Sequence, residues 1–289
     1  FNSYVNKTAQ IGKTPGKLKI VYTAMHGVGL ETVEAVFKKA GFNAPILVEE
    51  QVKPDPDFPT VAFPNPEEPG AIDLSLAKAK AVGADLVIAN DPDADRCAAA
   101  INDPKHGWRM LKGDEIGILL GDWIARSNSG NYGNSIVSSS GLSKICKHYG
   151  RNFRETLTGF KYLAQIPNLA FAYEEAIGYS VDSATVSDKD GVSAAIALAQ
   201  LAEELAANGQ TIHDRLQEIW KLIGFHATEQ ISIRVENIKL VGKVLEKFRT
   251  NPPKEIAGFA VTSIDDLANP TNDLPPTDGL RIWLGDIRV

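Results

Sequence analysis

The chain has 289 residues, 44% of them hydrophobic, so it can bury a substantial core but is long for a single one, and two or three domains are expected. Thirty Lys and Arg against thirty-six Asp and Glu leave a formal charge of −6, which argues against a nucleic-acid partner or an anionic membrane surface. The two cysteines, Cys97 and Cys146, cannot build a disulfide framework or a thiolate metal site, and apolar runs such as "SAAIALAQLA" are too short to span a bilayer. With no signal-peptide pattern at its start, the chain is expected in reducing cytoplasm; because its first residue is Phe1, it is read as a piece of a longer polypeptide.

In chain order, "KLKIVYT" (17–23) predicts a strand, "LETVEAVFKKAGF" (30–42) a helix ended by Gly41, and "PILVEE" a second strand. Six prolines in residues 51–70 predict an ordered or extended loop. "IDLSLAKAKAVG" reads as a helix and "ADLVIAN" as a strand buried in a parallel sheet. "CAAAIND" and "GWRML" read as a hairpin across "NDPKHG". A second block follows the same plan: helix "GDEIGILLGDWIARS", strand "NSIVSSS", helix "LSKICKHYG", strand "FRETL", short helix "FKYLAQI", strand "LAFAYEE" and long helix "VSAAIALAQLAEELAANG". From "GFHATEQISIRVEN" the pattern changes to strand, helix "IKLVGKVLEKFRT", strand "GFAVTSI", a loop and "GLRIWLGDIRV", an α+β unit with an antiparallel sheet. The expected fold class is therefore α/β: two successive mixed or parallel-sheet domains of similar topology, 1–106 and 107–222, then a partial α+β domain, 223–289.

The stretch "ANDPDADRC" sets Asp91, Asp93 and Asp95 at alternate positions directly after an apolar strand. Ligands of open α/β sheets gather at the carboxyl ends of strands, and crowded carboxylates repel one another unless a cation or water separates them. Oxygen ligands on a short open loop suit Mg²⁺. An EF-hand is excluded, because its sixth position would be Arg96 instead of Gly and its twelfth Asn102 instead of Glu. A phosphatase of the Asp-x-Asp type and a plain solvated acidic turn stay open at this point. His26 in "MHGVGLE" reads as a hydrogen-bonded turn, since the Gly spacing of a nucleotide loop is missing. The "SSSGLSK" stretch lacks a hydrolase nucleophile pattern and reads as small residues ending a strand at the cleft.

"NDPDADR" resembles the metal loop of the α-D-phosphohexomutases, and "AMHGVG", "DPDFPTVAFPNPEEPGA", "KGDEIGILLGDW", "TGFKYL", "YEEAIGY" and "DKDGVSAA" resemble signatures of that family, in its order and over essentially the whole chain. The long form of the last two is most similar to the branch with phosphopentomutase-like members, alongside bacterial phosphoglucomutases and phosphomannomutases. The resemblance implies a four-domain isomerase in which a phosphoserine exchanges its phosphoryl group with sugar monophosphates through a sugar bisphosphate. It further implies that this chain holds domains two, three and part of four, lacks the phosphoserine segment and the last phosphate loop, and is inactive alone. A non-catalytic sugar-phosphate or metal-binding module is the remaining alternative.

On the matching positions, the resemblance implies Asp91, Asp93 and Asp95 as Mg²⁺ ligands and Arg96 and Lys189 as catalytic residues, with Lys189 also reaching substrate phosphate. Thr158, Glu175 and Ile177 fall in substrate-binding positions. The plainer alternatives are an ion pair of Arg96 with its own aspartates, an N-cap for Thr158, a solvated strand end for Glu175 and a surface charge for Lys189. Asp190 is expected to cap the following helix. Ile177 and Tyr179 stand where the hexose members carry serine and histidine, which implies a weaker demand on one ring hydroxyl and acceptance of pentose as well as hexose 1-phosphates.

Overall fold

A computed structural model describes residues 1–231, 233, 235–237, 239–270 and 273–289 and divides the chain into two units, Phe1–Ala227 and Thr228–Val289. The first unit opens with helix α1 (Asn2–Thr8) and continues through β1 (Ile20–Thr23), α2 (Leu30–Ala40), β2 (Ile46–Leu47), α3 (Asp73–Val82), β3 (Leu86–Asn90), β4 (Cys97–Asp103) and β5 (Gly107–Met110). It then runs through α4 (Gly113–Ala125), β6 (Asn131–Ser135), α5 (Gly141–Tyr149), β7 (Phe153–Thr156), α6 (Phe160–Leu163), β8 (Leu169–Glu174), β9 (Gly178–Ser180), α7 (Gly191–Ala207) and α8 (Ile212–Ile223).

The strands form two sheets, ordered β2-β1-β3-β4-β5 and β7-β6-β8-β9. In each, the first three strands run parallel and the next returns antiparallel, so the sheets share a topology of edge strand, first strand, third strand and return strand. Each crossover is filled by a helix, as parallel pairing requires. Residues of β1 and β3 are buried on both faces, which explains their continuous apolar runs. Helix α7, apolar nearly all round, packs on β3, β4 and β9 and so joins the two sheets in one core.

The second unit contains α9 (Lys239–Thr250), β10 (Glu255–Ile256), β11 (Phe259–Ala260), β12 (Ser263–Asp266), β13 (Leu280–Leu284) and β14 (Ile287–Arg288). β10–β11 and β12–β13–β14 pair antiparallel. No helix of the described residues is long and apolar enough to cross a membrane.

Several boundaries differ from expectation. The strand read over "NSIVSSS" lies earlier, at Asn131–Ser135, because Ser138 N donates to Ser135 O and turns the chain away at 3.1 Å. "GFAVTSI" is split between β11 and β12. The strand expected over 224–237 is absent from its described part, and Ser232 and Arg234 lie outside the described residues. Helix α8 was not anticipated, although Thr211 and Asp214 form a reciprocal cap: Thr211 N donates to Asp214 Oδ2 (2.9 Å) and Asp214 N to Thr211 Oγ1 (3.1 Å).

Candidate functional site

The acidic loop joins two neighbouring antiparallel strands, whose last and first residues Asn90 and Cys97 are paired. Its turn is closed by Ala94 N donating to Asp91 O at 2.9 Å, with Ala94 at φ +59°. Asp91, Asp93 and Asp95 each offer a carboxylate oxygen, all within 4.8 Å of one another. Asp91 is 7% exposed, and burial, followed by repulsion from Asp93 and Asp95, pushes its carboxyl up to about 6 against the pull of the Arg96 amide. The three carboxylates could hold a metal ion, and an all-oxygen donor set favours a hard one. Arg96 Nε lies 3.7 Å from Asp91 and 3.9 Å from Asp95, so the ion pair with its own neighbours is present.

Two glycines, one in a turn and one opening α7, mould this loop. A Cβ on Gly27, in the 24–29 turn, would sit 2.2 Å from Pro92 Cα, and Val28 N donates to Pro92 O at 2.8 Å. A Cβ on Gly191 would sit 2.1 Å from Arg96 O. His26 is buried and structural: its Nε2 meets Thr60 Oγ1 at 2.8 Å and its amide donates to Gln51 O, tying down the proline-rich loop.

Lys189 lies beside Asp95, its Nζ donating to Asp95 Oδ2, with 22% of its side chain exposed. It is therefore no free surface charge. Asp190 caps α7, accepting from Val192 N at 3.2 Å, and also takes the Tyr4 hydroxyl at 2.7 and 2.8 Å. The loop from the second sheet thus meets the acidic loop of the first.

Glu175 follows β8. Its Oε2 accepts from Ser138 Oγ at 2.7 Å and Ser135 Oγ at 3.2 Å, and its amide donates to Ser138 Oγ at 3.1 Å. Both serines are buried. Asp114, buried at the start of α4, accepts from Ser139 N (2.7 Å) and Tyr173 Oη (2.8 Å) through Oδ1 and so fixes the serine turn. The preceding Glu174 accepts from the Gly159 amide, and burial first, then Glu175, raises its carboxyl above the usual range. Glu67 of the proline-rich loop is pushed up to about 7, first by loss of water, then by Glu175 among other carboxylates, against Arg96; as the residue is exposed overall, water screens this push. Ser135, Ser138 and Asp114 escaped sequence reasoning, for which hydroxyls at a strand end were only small residues.

Two expected residues are placed differently. Ile177 is 0% exposed, packed in the apolar core at φ +54°, so it lines no open pocket; Tyr179 is likewise buried and donates to Gly113 O at 3.0 Å. The Ile177 side chain, buried as it is, meets no sugar hydroxyl from this position. Thr158 is exposed and is not a helix cap, since Gly159 holds that position without a side-chain bond. A groove of about 610 Å³ lies elsewhere, between α3 and the β4–β5 hairpin; it is lined by Leu76, Ala79, Asn102, His106 and Trp108 and includes no residue of the acidic loop.

Residues 2–107 match the family model for phosphoglucomutase/phosphomannomutase α/β/α domain II, and residues 112–223 that for domain III. A probable phosphomannomutase of Haemophilus influenzae is 46% identical over 269 residues, covering 92% of this chain and 56% of the relative. Human phosphopentomutase is 39% identical over 285 residues, covering 90% of this chain and 46% of that protein. The crystal structure of a phosphoglucomutase/phosphomannomutase family protein from Burkholderia thailandensis superposes with a TM-score of 0.73 at 18% identity, covering 99% of this chain and 56% of that one; it shows the fold. The chain spans about half the length of the curated relatives it matches.

Proposed function

Because this chain belongs to the α-D-phosphohexomutase superfamily, we propose that it carries the cation-binding and sugar-binding parts of a sugar-phosphate mutase. In this reading, the whole protein moves a phosphoryl group between the 1-position and the 6- or 5-position of a sugar through a phosphoserine and a sugar bisphosphate. The domain division is 1–106 for the cation, 107–222 for the sugar and 223 onward for the start of a fourth domain, and the protein acts in the cytoplasm.

The observation that supports the reading is the meeting of Lys189, from the segment before α7, with Asp95 of the acidic loop, because it sets an ammonium group against a carboxylate cluster that could hold a metal ion. Asp91, Asp93 and Asp95 would hold Mg²⁺, the hard cation that keeps waters and tolerates an open site. Bound there, Mg²⁺ supplies charge neutralisation to the phosphoryl oxygens. Arg96 adds a fixed positive charge at the same loop, and Lys189 anchors the phosphate of the sugar. Glu175 accepts a sugar hydroxyl as a strong acceptor. Thr158, exposed and next to Gly159, whose amide is held by Glu174, would add a lesser contact.

Calorimetric titration of the chain with Mn²⁺ and with glucose 1-phosphate tests this. Saturable binding of both is expected, with Mn²⁺ binding lost in an Asp93→Asn, Asp95→Asn double variant. Equal Mn²⁺ binding by that variant overturns the assignment, and steady release of phosphate from glucose 1-phosphate by the chain favours the phosphatase reading instead.

A further inference from the structure

Of the two oxygens of Glu175, Oε2 is taken by Ser138 and Ser135, whereas Oε1 meets no protein donor among the described residues. The serine geometry limits how this can work. Ser138 Oγ accepts from the Glu175 amide at 3.1 Å and lies 2.7 Å from Oε2, so its single proton goes to the carboxylate. Ser135 Oγ is 2.9 Å from Ser138 Oγ and 3.2 Å from Oε2, and shares its one proton between them. The amide and carboxylate of one residue are thus gripped by one hydroxyl, which removes the rotamer freedom a half-exposed glutamate would otherwise keep. The backbone is held as well: a Cβ on Gly113 would lie 1.7 Å from Glu175 O, so the start of α4 presses directly on this peptide.

From this we infer that Ser138, backed by Ser135, is the positioning residue that clamps Oε2 of Glu175 and leaves Oε1 as the acceptor for one sugar hydroxyl. The inference rests on the reading of Glu175 as a sugar contact. It deepens that reading by making the contact one-sided: one oxygen belongs to the protein and one to the ligand. Preorganised acceptors keep affinity that a mobile side chain would spend on ordering.

The test is a binding cycle on the full chain with Ser138→Ala, Glu175→Gln and the double variant, titrated with glucose 1-phosphate and, separately, with inorganic phosphate; thermal melts check folding. Ser138→Ala is expected to weaken glucose 1-phosphate roughly five- to tenfold, the net scale of one ordinary hydrogen bond, because the serine acts on the sugar only through Glu175, and to leave inorganic phosphate unchanged. In the Glu175→Gln background the serine change should add little. Ser135→Ala, which removes only a shared proton, should cost less and keeps the test open if Ser138→Ala folds poorly. Additive losses, or equal weakening of inorganic phosphate, overturn the clamp while leaving Glu175 as a sugar contact. A wild-type chain that binds no glucose 1-phosphate overturns the underlying reading and the clamp with it.

Discussion

An ammonium group seated on a carboxylate competes with a divalent cation for the same electrostatic position, and Lys189 is so placed on Asp95. Both side chains are partly exposed, at 22% and 33%, so water screens the pair and its strength is modest. Replacing Lys189 with Met should therefore tighten Mn²⁺ binding by roughly threefold to tenfold, on the scale of about 1 kcal/mol for such a pair, while weakening inorganic phosphate. Unchanged Mn²⁺ affinity by calorimetry would remove the competition. Asp103 closes β4 at the end opposite the acidic loop. Burial alone would raise its carboxyl, but the Lys105 amide, the Arg109 guanidinium, the His106 amide and His213 outweigh it and hold it at about 2. A carboxyl lower in the folded than the unfolded chain stabilises above its ordinary value of roughly 4, and that contribution fades as pH falls towards 2. Urea midpoints should thus drop between pH 5 and pH 2.5 more in the wild type than in Asp103→Asn; equal drops would refute the assignment.

Elements are joined by a second buried charge. Asp122 of α4, with a fully buried side chain, accepts from Arg215 Nε (3.0 Å) and Nη2 (2.7 Å) of α8 and from the Tyr149 hydroxyl (3.0 Å) of α5. Removing one partner of such a pair leaves the other charge under-compensated, at a cost of about 3–5 kcal/mol; Arg215 keeps Glu218 at 2.7 Å, so the lower end applies. Asp122→Ala should lose about 3 kcal/mol in urea unfolding, and adding Arg215→Met should restore part of it, because the stranded guanidinium is gone. A double variant less stable than the single one would contradict this account. The same elements show what the sequence disclosed. Strands buried on both faces, such as β3, and helices with regular apolar spacing, such as α2, were legible from period alone. Helix α8 was equally legible, from its Thr211–Asp214 cap and from Ile212, Leu216, Ile219 and Ile223 at helical spacing on one buried face, yet neither signal entered the expectation.

At the scale of the molecule, the two-sheet plan was legible because the repeated order of strand, helix and edge strand is written as a local pattern, and so were the acidic loop and Lys189. The placement of Ile177 and the serine clamp on Glu175 were not. Both depend on which face a loop side chain takes, and that is decided by contacts distant in sequence, such as Gly113 against Glu175 and Tyr179 against Gly113. Stability should be just as unevenly spread. Helix α7 is buried along most of its length, whereas α9 has no buried residue among those described, and the second unit holds few buried apolar side chains, chiefly Leu267, Leu274, Ile282 and Leu284. Amides open in proportion to the packing that must be undone, so hydrogen exchange should be slow across Gly191–Ala207 and fast across Lys239–Thr250. A ligand stabilises only what it binds, by an amount that grows with its concentration over its dissociation constant. Mn²⁺ with glucose 1-phosphate should therefore slow exchange around 91–96 and 174–190 and leave 239–250 unchanged, as read by mass spectrometry. Protection of 239–250 equal to that of 91–96 would mean that binding reaches beyond the site built here, and would require the sugar and cation contacts to be assigned again.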